Sequence, residues 1–244
     1  MNRMIIMTLS LIAAVLVNVA TNIIPFNGST TVEIASRLPV LVMPAKYVFA
    51  LWAIIYVLLA YWLYNFNRNN VHVSHTLQNW RATLFVISCL LHIAWTLLWH
   101  SGFFTWTIVL MALLLVTLLA IYFTYQKKDN QFSSRVPIAV NLGWIFIMTI
   151  ANISYVLTLH DWSGWGLSDP LWAVIYLTFA TAIAHHFLYH HADIALGTVF
   201  MWAFIGIAVK NGMDELFVSA VALFLTATIG VVIFLKRKQL TSKT

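Results

Sequence analysis

Eight long apolar runs, separated by charged, Asn-rich or Gly-containing breaks, fall at roughly residues 4–24, 47–66, 82–100, 103–125, 136–158, 170–189, 194–210 and 215–235. Each comes close to the 20 or so mostly apolar residues that a helix needs to cross a bilayer's hydrocarbon core. The fourth, Phe103 to Tyr125, contains no charge, whereas the seventh, "IALGTVFMWAFIGIAV", is near the lower length limit. The pattern predicts an all-α polytopic membrane protein of about eight transmembrane helices, with one long connection between the first and second.

Composition and charge sharpen this picture. Of 244 residues, 62% are hydrophobic and 8% charged, against about a quarter charged in soluble domains. No separate soluble domain has room to exist. The net charge of +6 comes from basic residues dispersed over short connections and a terminal "KRKQLTSK", so nucleic acid is not an expected partner. With eight spans the two termini share a side. That side receives Arg3, Arg68, Arg81, Lys127, Lys128, Arg135, Lys236, Arg237, Lys238 and Lys243, ten basic residues against three (Arg37, Lys46, Lys210) on the other. The positive-inside rule then places both termini in the cytoplasm of a multi-pass cell-membrane protein. The first run, with Arg3 before it and "VNVA" after it, has an alternative reading as a cleaved signal peptide, which its length disfavours. The single Cys89 rules out an intrachain disulfide and a thiolate metal cluster.

Three runs each carry a face mixing aromatic and polar groups. Trp52 and Tyr56 are four apart; His92, Trp95 and Trp99 are spaced i, i+3, i+7; Asn141, Trp144, Met148, Asn152 and Tyr155 form a third stripe. Asn and His are costly against lipid and face protein or a cavity. The stripes fit either an aromatic pocket with few polar anchors or helix packing with interfacial aromatic belts. Trp162 and Trp165, in the connection "HDWSGWGLSDP", read as belt residues.

The same segments carry a family resemblance. "PAKYVFALWAIIYVLLAYWLY" (Pro44 to Tyr64), "HIAWTLLW" (His92 to Trp99) and "NLGWIFIMTIAN" (Asn141 to Asn152) resemble, in order and spacing, the second, third and fifth helices of the tryptophan-rich sensory protein and translocator protein (TspO) family. His92 stands where the family usually carries Asn, and the family's Pro-Tyr before the fifth-helix Trp is missing. The resemblance covers about residues 1–160, a five-helix region, and leaves 161–244 as three additional helices and a basic tail. It implies a receptor-like membrane protein with a sensory or regulatory role. Its ligand would be a tetrapyrrole such as porphyrin, or a sterol-like lipid, in a pocket lined by Trp52, Tyr56, His92, Trp95, Trp99, Trp144 and Asn152. The expected partners are the bilayer and a hydrophobic small molecule, with a homodimer left open.

A rival reading starts from "LWAIIYVLLA" (51–60) and "LWAVIYLTFA" (171–180), identical at six of ten positions. Helices two to four and six to eight would form two parallel three-helix units joined by helix five, a secondary-transporter plan. It looks like the SWEET-type sugar transporters, without their Pro-Gln motif.

The remaining polar features carry no assigned chemistry. His186, His190 and Asp193 in "HHFLYHHAD" have a spacing compatible with metal ligands but sit at a helix end, where polar residues belong. Lys210 is read as a lysine snorkelling to water from a span end rather than a Schiff-base amine. All carboxylates fall in connections or at helix ends, which argues against a proton relay. No hydrolase triad, phosphate loop or paired-carboxylate site stands out, so no catalytic or metal site is assigned.

Overall fold

The computed structural model describes residues 2–24, 28–69, 73–126 and 129–241. The described residues form nine α-helices: α1 Asn2–Ile23, the short α2 Thr31–Ala35, α3 Leu51–Asn69, α4 His75–His100, α5 Phe104–Phe123, α6 Arg135–Leu159, α7 Asp169–His191, α8 Ile194–Asn211 and α9 Leu216–Thr241. All except α2 belong to segments long and apolar enough to span a membrane, giving the eight crossings read from the sequence. The third crossing begins at His75, earlier than the apolar run. Ser74 caps it by accepting a bond from the Leu77 amide at 3.3 Å, which extends the helix through the polar residues "HTLQNWR".

One helix is the axle. The apolar window of α6 is 83% buried, against 28 to 56% in the other seven crossings. It packs against α3, α5 and α8; α1 and α4 complete one side of the bundle, and α7, α8 and α9 pack on one another on the other side. Gly143 of α6 lies where a Cβ would meet Val199 of α8 at 3.3 Å, so the two backbones approach closely. Large apolar side chains such as Leu16, Val57, Val116 and Phe224 remain more than 60% exposed, as expected where lipid replaces water around the bundle.

The connection between α1 and α3 is folded onto the bundle. Lys210 donates to the Val40 carbonyl at 2.9 Å, and Asn211 to that of Leu41 at 2.8 Å. The Ala45 amide bonds the Gly206 carbonyl at 3.1 Å, a contact permitted because a Cβ on Gly206 would stand 2.2 Å from Val48. Lys210 is therefore a staple of this connection as well as an exposed lysine at the end of its span.

The basic residues separate into two groups at opposite ends. Arg3 reaches Gln78 and Asn79 at the start of α4, and Arg81 reaches Thr124 after α5. Arg135 reaches the α7–α8 turn, and Lys236 lies over Tyr189. Lys127, Lys128 and Lys243 lie outside the described residues, as does the side chain of Lys238.

The repeated decapeptides do not build equivalent units. Helices α7, α8 and α9 pack mutually, whereas the α3 backbone comes nearer to α6 and α1 than to α4 or α5, meeting α4 through long side chains such as Trp52 and Trp62. Trp172 caps the loop before α7, bonding the Gly164 carbonyl at 2.8 Å. Trp52 instead lies inside the bundle against Trp144 and His92.

Candidate functional site

The three sequence stripes converge. Between α3, α4 and α6, Tyr56 stacks on Trp52 (centroids 5.9 Å), Trp52 meets His92 at 4.4 Å and Trp144 at 5.9 Å, and His92 leads to Trp95 at 6.0 Å. Trp95 stacks on Trp99 at 5.5 Å, which contacts Tyr155 of α6 at 4.8 Å. The result is a continuous aromatic seam along the bundle axis. Offset and edge-to-face pairs of this kind each stabilise by about 0.5–1.5 kcal/mol beyond area burial.

His92 is buried and shares a 3.1 Å hydrogen bond with the Tyr56 hydroxyl, so α3 and α4 are joined by polar contact at the centre of the seam. Asn152, by contrast, is bonded to Thr107 of α5, its amide nitrogen 2.9 Å from the hydroxyl. Its side chain still borders the seam, but one of its two N–H donors is used in tying α5 to α6.

Two indole N–H groups in the seam have no acceptor. Nε1 of Trp95 and Nε1 of Trp144 are buried without a hydrogen-bond partner. A buried donor left unsatisfied costs about 1–3 kcal/mol, and such groups are rare in folded proteins. Two small cavities border the seam, one of them against Trp95. One, of about 20 Å³, is bordered by Trp52, Tyr56, His92, Ser88, Cys89 and Asn141. The other, also about 20 Å³, lies among Thr31, Ala35, Phe49, Trp95, Trp99 and Asn152. Each has room for about one water molecule, far below the 300 Å³ or more of ordinary ligand pockets.

The second cavity is roofed by α2. Trp99 Nε1 donates to the Thr31 carbonyl at 3.4 Å, and the Thr31 hydroxyl lies 2.9 Å from His100 Nε2. A capping box holds the helix. The Thr30 amide donates to the Glu33 carboxylate at 2.8 Å, and the Glu33 amide to the Thr30 hydroxyl at 3.2 Å. These bonds hold the Glu33 carboxyl below the usual carboxylate range. Residues that the stripes did not indicate thus complete the seam: Thr31 and Ala35 above, and Phe49, which packs on Trp144 at 5.7 Å. The Thr30-x-x-Glu33 pattern was the available signal for α2.

At the opposite end, Asp193 is engaged by groups from α5, α6 and α8. It lies 3.4 Å from Arg135 Nε, and the two side chains are 0% and 1% exposed. It also accepts from the Tyr122 hydroxyl at 2.8 Å and the Leu196 amide at 3.0 Å. Among the described residues, no three His, Cys, Asp or Glu side chains converge on a metal position.

No curated protein and no solved structure matches the chain. A family model described as "TSPO-like protein" matches residues 4–235. The match runs through all eight crossings, so α7, α8 and α9 fall within it together with the segments whose aromatic spacing first suggested the likeness. The chain belongs to the family of TSPO-like proteins.

Proposed function

We propose that this membrane protein binds a flat hydrophobic ligand, a tetrapyrrole or a sterol-like lipid, in the seam between α3, α4 and α6, and that occupancy serves a sensory or regulatory role. The observation that carries the reading is the pair of unpartnered indole N–H groups of Trp95 and Trp144 along one aromatic seam. A ligand with acceptor oxygens, such as the carboxylates of a porphyrin, would satisfy them while its rings lie on Trp52, Trp95 and Trp99. Because the flanking cavities are only about 20 Å³ each, binding requires the rings to part and α2 to lift. The closed seam is the resting form in this reading.

The experiment is a titration of protoporphyrin into detergent-solubilised protein, followed by the shift of the porphyrin absorption band. Trp95→Phe and Trp144→Phe keep an aromatic ring but remove the N–H. Each should weaken binding roughly fivefold, the equivalent of about 1 kcal/mol per hydrogen bond. Unchanged affinity in both variants would put the ligand elsewhere.

The basic-residue asymmetry supports an orientation with both termini in the cytoplasm. A C-terminal fluorescent fusion should light up in the cytoplasm, and an exported phosphatase fused at the same point should stay inactive; the reverse pair of results refutes this orientation.

A further inference from the structure

The roomiest polar concavity lies away from the seam, at the opposite end of the bundle from Arg135. It measures about 310 Å³ and is walled by the 39–42 segment, the end of α6, Trp162 with Asp161, and the first turns of α7 with Asp169, Trp172 and Tyr176. The sequence reading gave Trp162 and Trp165 to an interfacial belt. Trp165, 79% exposed, fits that description; Trp162 is half-buried and lines the cavity instead.

The aromatic wall is fixed before any ligand arrives. Trp162 and Trp172 have centroids 5.0 Å apart, Trp165 packs on both at 5.4 and 5.8 Å, and Trp172 contacts Tyr176 at 5.7 Å. The Trp172 N–H is committed to the Gly164 carbonyl at 2.8 Å, so its π-faces, not its donor, are what it offers. The opposite wall is equally fixed, since Lys210 and Asn211 hold the Val40 and Leu41 carbonyls. Among the described residues, two carboxylates line the concavity and no Lys, Arg or His does; Lys210, which bonds the Val40 carbonyl, is outside the lining.

We propose that this outer cavity is a binding site for a small organic cation, an alkylammonium group cradled by the rings of Trp162, Trp172 and Tyr176 and countered by Asp161 and Asp169. Three electron-rich rings attract a cation through their quadrupoles, most strongly at Trp. Two carboxylates in a walled concavity concentrate negative potential there, which repels anions. A bare metal ion is a poorer fit because no third His, Cys, Asp or Glu converges with the two carboxylates among the described residues. The volume, at the lower end of small-molecule pockets, suits a cation carrying its own apolar substituents. The ammonium group would belong either to a free solute or to a phospholipid headgroup at the membrane surface.

The test compares choline with 3,3-dimethylbutan-1-ol, its neutral carbon isostere, by calorimetric titration of the full chain in phosphatidylglycerol nanodiscs. Choline should bind at least about tenfold more tightly than the isostere. Asp161→Asn with Asp169→Asn should abolish that preference. Asp161 has φ of 49°, a left-handed conformation that Asn adopts readily, so the substitution preserves the backbone. Trp172→Leu serves as a second variant and should weaken choline in the same range; thermal unfolding verifies that each variant is folded. Repeating the titration in phosphatidylcholine nanodiscs separates the sources: weaker apparent binding assigns the site to the lipid headgroup, and equal binding to a free solute. Choline binding no better than the isostere, or a preference that survives in the folded double variant, overturns the proposal.

Discussion

Replacing Asp193 with Ala perturbs the buried polar contact that joins the α7–α8 turn to α5 and α6. In the native structure its carboxylate faces Arg135 Nε at 3.4 Å, accepts from Tyr122 at 2.8 Å and caps α8 through the Leu196 amide at 3.0 Å. Arg135 would keep its 2.8 Å bond to the His191 carbonyl and its position 5.2 Å from the Tyr122 ring centroid, but lose its counter-charge. Removing one partner of a buried pair costs about 3–5 kcal/mol and loss of an N-cap about 1 kcal/mol. These losses overlap, because the same relaxation and water entry relieve both, so about 4 kcal/mol is the expected sum. At roughly 2–4 °C per kcal/mol for a chain of this size, the Tm in detergent should fall by about 8–16 °C. Pairing Asp193→Ser, which retains a capping oxygen, with Arg135→Met removes the stranded charge, and this double variant should recover several degrees relative to Asp193→Ala. A loss under about 2 °C for Asp193→Ala, or a double variant no more stable than the single, would refute the view that a compensated buried charge holds this end together.

Two further outcomes concern the seam and its roof. His92→Asn, which keeps a hydrogen-bonding group opposite Tyr56, should retain most of the porphyrin affinity, whereas His92→Leu should lose roughly fivefold; equal affinities per folded molecule would reduce His92 to a packing role. Because the Glu33 carboxyl is held low by its bonds to Thr30, the capping contribution to α2 is present above the unfolded carboxyl value and is lost as pH falls through the folded one. Glu33→Gln at pH 7 should mimic that loss. In a Cys89→Ser background, a cysteine placed at Ala35, which is 2% exposed, should react faster with maleimide in the Gln variant, and an unchanged rate would show that the cap does not hold the roof shut.

Span number and the three aromatic stripes were legible from the chain because both rest on local rules. A bilayer demands about 20 apolar residues per crossing, and a helix places residues at i, i+3, i+4 and i+7 on one face. Trp52, Tyr56, His92, Trp95, Trp99 and Trp144 therefore read correctly as inward-facing residues, and the structure brings them into one seam. Residue spacing does not reveal whether such faces stand apart or close on one another. The two cavities of about 20 Å³ depend on side-chain packing across three helices.

The repeated decapeptide shows the same division. Six identical positions at 51–60 and 171–180 specify two helices with the same local faces, yet α3 packs on the central α6 while α7 packs on α8 and α9, because neighbours are chosen by the whole bundle. Asp193 is the sharpest instance. By its place between two apolar runs it is a helix-end carboxylate; in the structure it is fully buried beside Arg135, 58 positions earlier in the chain. Lys210, still exposed, also bonds a distant segment, the carbonyl of Val40. Hydropathy and helical period thus determined how many helices cross and which faces turn inward. Burial of the polar groups at their ends was decided only by tertiary structure, because a charge can leave water only where distant segments supply its counter-charge and hydrogen bonds.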